Sequence, residues 1–232
     1  MPALIRVGHK GADAIVRGNT AASFDAALAA GVDMIEFDVL AERPDGSGEL
    51  LVAHDYGIVR RYGAPTLAAA LAHLASPRFA AVRLQVDLKR SGYERGVIGA
   101  LDAAGLAERS FVSTGELGAL ARVRALAPEL RLGWTVPDVG GVCSRPLLSQ
   151  TAGRVFRRAL IRRAAERLAA REIDALVPQW PLVDGALVEA VRGAGAELYA
   201  WTVDDAAQIA RLAALGVTGV ITNDPRLFAT LS

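Results

Sequence analysis

The chain contains a single cysteine, Cys143, in 232 residues. That excludes an internal disulfide and leaves no thiolate cluster for a metal. It also has almost no net charge: 26 lysines and arginines stand against 25 acidic residues. A balance this even gives no bulk electrostatic case for nucleic-acid binding. No apolar stretch is long enough to span a bilayer. No apolar run follows a basic region at the start either, where Leu4-Ile5-Arg6-Val7 leads straight into Gly8-His9. The expectation is therefore a cytoplasmic protein without a signal peptide. Internal repeats, low-complexity linkers and a composition break are missing as well. With 52% hydrophobic residues there is enough chain for one sizeable core. A single domain over residues 1–232 is expected.

What is present is an alternation of strand and helix patterns. Strands are expected at Leu4–His9, Asp33–Val39, Val82–Leu88, Arg109–Ser113, Leu130–Val136, Ala175–Pro178, Glu197–Val203 and Val217–Thr222. Between them lie helices: one capped by Asn19 or Thr20 and ended by Gly31, one from Thr66 to a stop at Pro77, one ending at Gly105, one near Glu116–Ala127, a basic one over roughly Thr151–Ala170, one at Val183–Val191, and one capped by Asp204. Asp45-Gly46 is a turn signal, so Glu49–His54 reads as an extra strand returning after the second. Tyr56–Pro65 reads as a short connection, too short for a lid, with Ile58, Val59 and Tyr62 as an apolar rim. Pro137–Gln150 is the longest irregular stretch.

Such alternation implies right-handed βαβ units and a parallel sheet. An open doubly wound sheet would gather polar residues at a switch point. Here they end several different strands: His9, Glu36 with Asp38, Asp87 with Lys89, Gln179 and Trp201. The expected fold is a compact (β/α)8 TIM barrel with a short β-hairpin extension after strand 2.

Residues i and i+2 of a strand share a face. Glu36 and Asp38 therefore present their oxygens together, with Met34 behind them, while Ile35, Phe37 and Val39 face the other way. Burying two like charges is costly unless a cation or a proton compensates. Glu36, Asp38 and Asp87 are hard oxygen donors, which suits Mg²⁺ or Ca²⁺ better than zinc. Lys89, two residues after Asp87, can place an ammonium beside that cation, and the pair makes a pocket for phosphate oxygens. His9 and His54 would flank the phosphate and titrate in the range that proton transfer needs. His73, on a helix among alanines and leucines, reads as ordinary surface.

These residues resemble the glycerophosphodiester phosphodiesterases of the phospholipase-C-like barrel superfamily. The likeness is carried by His9-Lys10-Gly11, Asn19-Thr20, Phe24, Gly31-Val32-Asp33, Ile35-Glu36-Phe37-Asp38-Val39, Asp45-Gly46 and His54-Asp55. It continues in Leu84-Gln85-Val86-Asp87-Leu88-Lys89, in Trp201-Thr202-Val203-Asp204 and in Gly219-Val220-Ile221-Thr222-Asn223-Asp224-Pro225. The resemblance covers nearly the whole chain. It implies metal-dependent hydrolysis of glycerophosphodiesters to glycerol phosphate and an alcohol. By that match His9 and His54 are the acid–base pair, Glu36, Asp38 and Asp87 hold the metal, and Lys89 contacts phosphate. Trp201 would form a wall for the glycerol moiety, and Gln179 is a further candidate for the substrate site.

The chain departs from the family pattern at four places. Lys10 stands for an arginine, keeping a charge to bind phosphate without the bidentate fork. Arg17-Gly18 stand for proline and glutamate. The third ligand is aspartate, and Tyr56–Pro65 is short. Aspartate followed by Leu-Lys is also similar to sphingomyelinase-D-type relatives, so lysophospholipase-D-like action on lipids is the second reading. A non-catalytic barrel that binds phosphodiesters is the third. Six arginines between Arg154 and Arg167 form a basic helix face, able to make transient contact with anionic lipid. A small-molecule or lysolipid phosphodiester is the expected partner.

Overall fold

The computed structural model describes residues 3–137 and 149–231. Most of the Pro137–Gln150 stretch, and Cys143 with it, lies outside the described residues. In chain order the elements are β1 (Ile5–Gly8), α1 (Ala21–Ala29), β2 (Met34–Ala41), β3 (Leu50–Val52), α2 (Tyr56–Tyr62), α3 (Leu67–Leu74), β4 (Arg83–Leu88), α4 (Glu94–Ala103) and β5 (Ser110–Thr114). They continue with α5 (Leu117–Leu126), β6 (Arg131–Thr135), α6 (Ser149–Ala169), β7 (Ala175–Val177), α7 (Gly185–Gly193), β8 (Glu197–Ala200), α8 (Ala206–Leu215) and β9 (Gly219–Thr222).

Eight of the strands are parallel and run round in the order β1-β9-β8-β7-β6-β5-β4-β2, and pairing of β1 with β2 closes the circle. This is a TIM barrel. The ninth strand, β3, lies outside it, antiparallel to β2 with Val39 opposite Val52.

Strand alternation separates two apolar regions. Ile35, Phe37, Val39, Leu84, Val86 and Val112 face outward and are buried under the helices. Val7, Met34, Phe111, Tyr199 and Ile221 face inward and fill the barrel. The Phe111 and Tyr199 rings stack with centroids 5.5 Å apart. Two glycines make room for them. A Cβ on Gly133 would lie 2.8 Å from the Phe111 ring, and one on Gly219 would lie 2.7 Å from the Tyr199 ring. Below the rings, Glu197 accepts a hydrogen bond from the Tyr199 hydroxyl at 2.8 Å and pairs with Arg131 at 2.6 Å and Arg83 at 3.6 Å. This half-buried group plugs the N-terminal end of the barrel.

Three expectations need correction. Tyr56–Tyr62, read as part of a short connection, is a helix. The Asp55 carboxylate accepts from the Ile58 backbone N–H, and Gly63 ends the helix at φ 66°. No residue of α2 is buried, so no apolar periodicity announced it. The cap of α8 is Asp205, whose carboxylate accepts from the Gln208 N–H; Asp204 is engaged elsewhere. His73 is half-buried, with Nε2 2.8 Å from Asp25 Oδ1 and its ring against Phe79.

Candidate active site

The site is built where β1, β2 and β4 end. Register sets Glu36 beside Gln85 and Asp38 beside Asp87. One oxygen each from Glu36, Asp38 and Asp87 lies within 4.8 Å of the others, and all three residues are buried. The Lys89 ammonium bridges two of them, 2.6 Å from Asp38 Oδ1 and 2.8 Å from Asp87 Oδ2.

Each carboxylate is held by further groups. The backbone N–H of Lys10 donates to Glu36 Oε2 at 2.9 Å, and the N–H of Gly11 donates to the Glu36 carbonyl. That turn requires φ of 51° at Lys10 and 84° at Gly11. A Cβ on Gly11 would lie 2.6 Å from the Ser23 backbone, so glycine is needed there. Asn19 clamps Asp38: its Nδ2 donates to Asp38 Oδ2 at 2.8 Å, and its Oδ1 accepts from the Asp38 N–H at 3.1 Å. Asp87 Oδ1 accepts from Ser113 Oγ at 2.6 Å and from Thr135 Oγ1 at 2.9 Å.

One ammonium thus faces three carboxylates. Burial, reinforced by the charge of Asp38, pushes the Glu36 carboxyl well above the usual range. Burial acts the same way on Asp38, but Lys89 and Lys10 outweigh it and hold that carboxyl low. Burial opposes the charge on Lys89, and its three acidic neighbours overcome that and raise its pKa. A cluster of oxygen donors in which one ammonium does not balance three carboxylates, so that Glu36 is driven to keep its proton, fits a hard divalent cation.

Both candidate histidines open onto the same space, a cavity of about 120 Å³. His9, Glu36, His54, Asp87, Lys89 and Trp201 line it, together with Gln85, Thr135, Val177 and Ile221. Asp38 sits behind this lining at 0% exposure. The Trp201 indole is fixed by donating to the Val177 carbonyl at 2.8 Å. Neither Lys10 nor Gln179 lines the cavity. The Lys10 ammonium lies 3.8 Å from Asp13 Oδ2, so this residue touches the site through its backbone and acts on Asp38 and His9 through its charge. Gln179 pairs its backbone with that of Trp201.

His9 is largely buried, and burial with the nearby Lys10 charge keeps its pKa low. Its Nε2 lies 3.9 Å from Glu36 Oε2 and its Nδ1 2.6 Å from Asn223 Oδ1. Asn223 Nδ2 in turn donates to Asp204 Oδ2 at 2.6 Å. His54 has a half-exposed side chain, with Nδ1 3.1 Å from Asp55 Oδ2.

Sequence reasoning missed Asn19 as a clamp, Gln85, Ser113, Thr135, Asn223, and the role of Asp204. Gln85 shares the strand face of Asp87 and was open to the same alternation argument. Ser113 and Thr135 end their strands as polar residues, a weaker signal of the same kind. Nothing local marked Asn223 as a partner of His9.

Residues 9–72 and 83–227 match the model of the glycerophosphoryl diester phosphodiesterase family. The chain belongs to this family. Among its family relatives, the glycerophosphodiester phosphodiesterase of Caldanaerobacter subterraneus subsp. tengcongensis is 26% identical over 97% of this chain and 96% of its own. A stretch of 51 residues is 51% identical to a glycerophosphodiester phosphodiesterase of Arabidopsis thaliana; it covers 22% of this chain and spans only 16% of that protein. The glycerophosphodiester phosphodiesterase structure from Agrobacterium tumefaciens superimposes with a TM-score of 0.74 at 22% identity, over 99% of each chain. An Oleispira antarctica phosphodiesterase, solved in complex with the product sn-glycerol-3-phosphate, gives 0.72 at 21% identity, over 98% of this chain and 96% of its own. At these identities the structural likeness is one of fold.

Proposed function

We propose that this family member hydrolyses glycerophosphodiesters to glycerol phosphate and an alcohol, using a divalent cation held by Glu36, Asp38 and Asp87 and an acid–base pair formed by His9 and His54. One observation carries the reading: the buried carboxylate cluster lies at the floor of a cavity whose walls include both histidines. Family membership and the glycerol phosphate bound by the Oleispira protein support the substrate class.

The donors suit Mg²⁺ or Ca²⁺, and such an ion would polarise phosphoryl oxygens and offset their charge. Lys89 adds a second positive charge at the same wall. One imidazole accepts the proton of the attacking hydroxyl, which belongs either to the substrate's glycerol or to water. The other protonates the departing alcohol. Trp201, its ring held in place, gives the glycerol carbons a flat apolar surface. Intact histidines and acids weigh against a barrel that only binds, because binding a phosphodiester does not require two proton carriers.

The deciding experiment is release of free alcohol from a panel of glycerophosphodiesters and lysophospholipids, with and without chelator. Turnover that ignores chelator overturns the metal assignment, and no turnover of any substrate overturns the enzymatic one. Lysophospholipid turnover is the second reading, favoured by the exposed Ile58 and Tyr62 on the helix that follows His54. The basic face of α6 supports lipid contact less well than its composition promised. Arg162 pairs with Glu166, while Arg167 pairs with Glu172 and lies over the Trp134 ring. Cytoplasmic location accompanies this reading as a proposal; among the described residues no helix is long and apolar enough to cross a membrane.

A further inference from the structure

Six large hydrophobic residues are exposed among the described residues, and four of them, each 37–48% exposed, lie in two segments that follow cavity residues: Ile15 and Val16 in the segment after His9, Ile58 and Tyr62 on the helix that begins after His54. Scattered exposed apolar residues are ordinary, but a cluster marks a contact surface. The two segments that carry them are joined where the Arg17 guanidinium lies over the Tyr62 ring, 5.3 Å from its centroid. Ile58 and Tyr62 are four apart on α2 and so share one face. Arg61 stacks on the same ring at 5.1 Å.

The unpaired charge here is of one sign. Arg17, Arg60 and Arg61 are exposed. The nearby carboxylates are engaged elsewhere: Asp13 accepts from the Gly18 N–H and faces Lys10, and Asp55 caps α2 and faces His54. None of the three arginines has an ion-pair partner among the described residues. The exposed side chains of α2 contribute nothing to the core, since the helix buries none of its residues. The location is specific too, because α2 begins at the Asp55 cap, directly after the cavity residue His54.

We propose that this rim is a docking face for an anionic lipid surface. Ile58, Tyr62, Ile15 and Val16 would enter the boundary between headgroups and acyl chains, and the three arginines would meet lipid phosphates. Aromatic and branched aliphatic side chains flanked by unpaired arginines on an exposed helix suit a fluid interface; an acidic protein would need a matching groove. The inference rests on the proposed function in one respect. The substrate assigned to the cavity has the same chemistry as a glycerophospholipid headgroup, so the mouth and its rim would serve one kind of partner.

The test is cosedimentation of the full chain with vesicles of phosphatidylglycerol and phosphatidylcholine, against vesicles of phosphatidylcholine alone. We expect binding to the anionic vesicles that weakens with added salt. It should be at least about tenfold weaker in each of two double variants, Ile58→Ser with Tyr62→Ser and Arg60→Glu with Arg61→Glu. Turnover of soluble glycerophosphoethanolamine and the melting temperature should be unchanged in both. The proposal is overturned if the wild-type chain ignores anionic vesicles or if both variants bind as well as it does. It is also overturned if only Arg158→Glu with Arg163→Glu on α6 abolishes binding, or if the chain binds polyglutamate but no vesicle, which would assign the rim to an acidic protein. Vesicle binding is read without catalysis. An inactive chain that binds vesicles defeats the proposed function alone, and an active chain that does not defeats this inference alone.

Discussion

Asn223 Oδ1 lies 2.6 Å from His9 Nδ1, and the amide nitrogen of the same side chain donates to Asp204 Oδ2. The carboxylate of Asp204 is an acceptor only, so it fixes which end of the Asn223 amide faces the imidazole. That end is the oxygen. His9 must then carry its proton on Nδ1, which leaves the Nε2 lone pair on the side of Glu36 and the cavity.

Replacing Asp204 tests this arrangement. Asp204→Asn keeps the shape but places an amide donor opposite Asn223, so Asn223 turns and the imidazole takes the other tautomer. We expect kcat to fall by about 10²-fold or more, the size of a lost proton transfer. The ¹⁵N spectrum of the His9 ring should show the proton moved from Nδ1 to Nε2. An unchanged tautomer in this variant would remove Asp204 from the positioning of His9.

His54→Ala separates chemistry from folding. The side chain is half exposed, so its loss should shift stability by no more than about 0.5 kcal/mol. Turnover should drop by about 10²-fold or more if His54 carries a proton. The wild-type pH profile should be bell-shaped. Its acidic limb, where His9 serves as the base, should lie below the ordinary imidazole value because burial holds that pKa down. Near-normal turnover by His54→Ala would show the two-histidine mechanism to be wrong.

The third prediction concerns cation binding. In the cation-free protein Glu36 stays protonated at pH values where the unfolded chain has lost that proton. Its favourable contribution is therefore fully present below the ordinary glutamate pKa and is lost as pH rises through the raised folded value. A cation must displace the proton. Calorimetry in buffers of different ionisation enthalpy should show proton release on Mg²⁺ or Ca²⁺ binding, with weaker binding at lower pH. Glu36→Gln should abolish binding and turnover while raising the melting temperature of the chelated protein at neutral pH. Cation binding as tight in Glu36→Gln as in the parent would dismiss Glu36 as a ligand.

Gly219→Ala addresses the barrel interior. The new methyl would lie 2.7 Å from the Tyr199 ring and 2.8 Å from the Ile5 carbonyl oxygen. The ring is stacked on Phe111 and the carbonyl is backbone, so neither can yield without disturbing the sheet. Overpacking of this kind costs about 1–3 kcal/mol. Denaturant unfolding should report that loss, and a neutral substitution would mean that the interior adapts more easily than its geometry implies.

Much of this molecule was legible in the sequence. Two-residue periodicity placed Glu36 and Asp38 together and Ile35, Phe37 and Val39 opposite them, because side chains alternate along any strand. The repeated change from strand to helix patterns implied a parallel sheet, and polar residues at the ends of several strands favoured a closed barrel. Spacing and donor chemistry singled out His9, His54, Glu36, Asp38, Asp87 and Lys89, to which the resemblance gave roles, and the structure brings them into one cluster. Signals of this kind are local, and they survive without knowledge of what packs where. The tertiary structure alone decided the rest. It set Asn223 against His9 from 214 residues away, which only closure of β9 against β1 makes neighbours. It turned Asn19 inward as a clamp on Asp38 and sent the Lys10 ammonium to Asp13 while its backbone N–H held Glu36. It also wound Tyr56–Tyr62 into a helix held by a cap and a glycine, not by burial. Those outcomes depend on register and on the competition among charged groups for buried partners. Both arise between segments, where sequence periodicity carries no information.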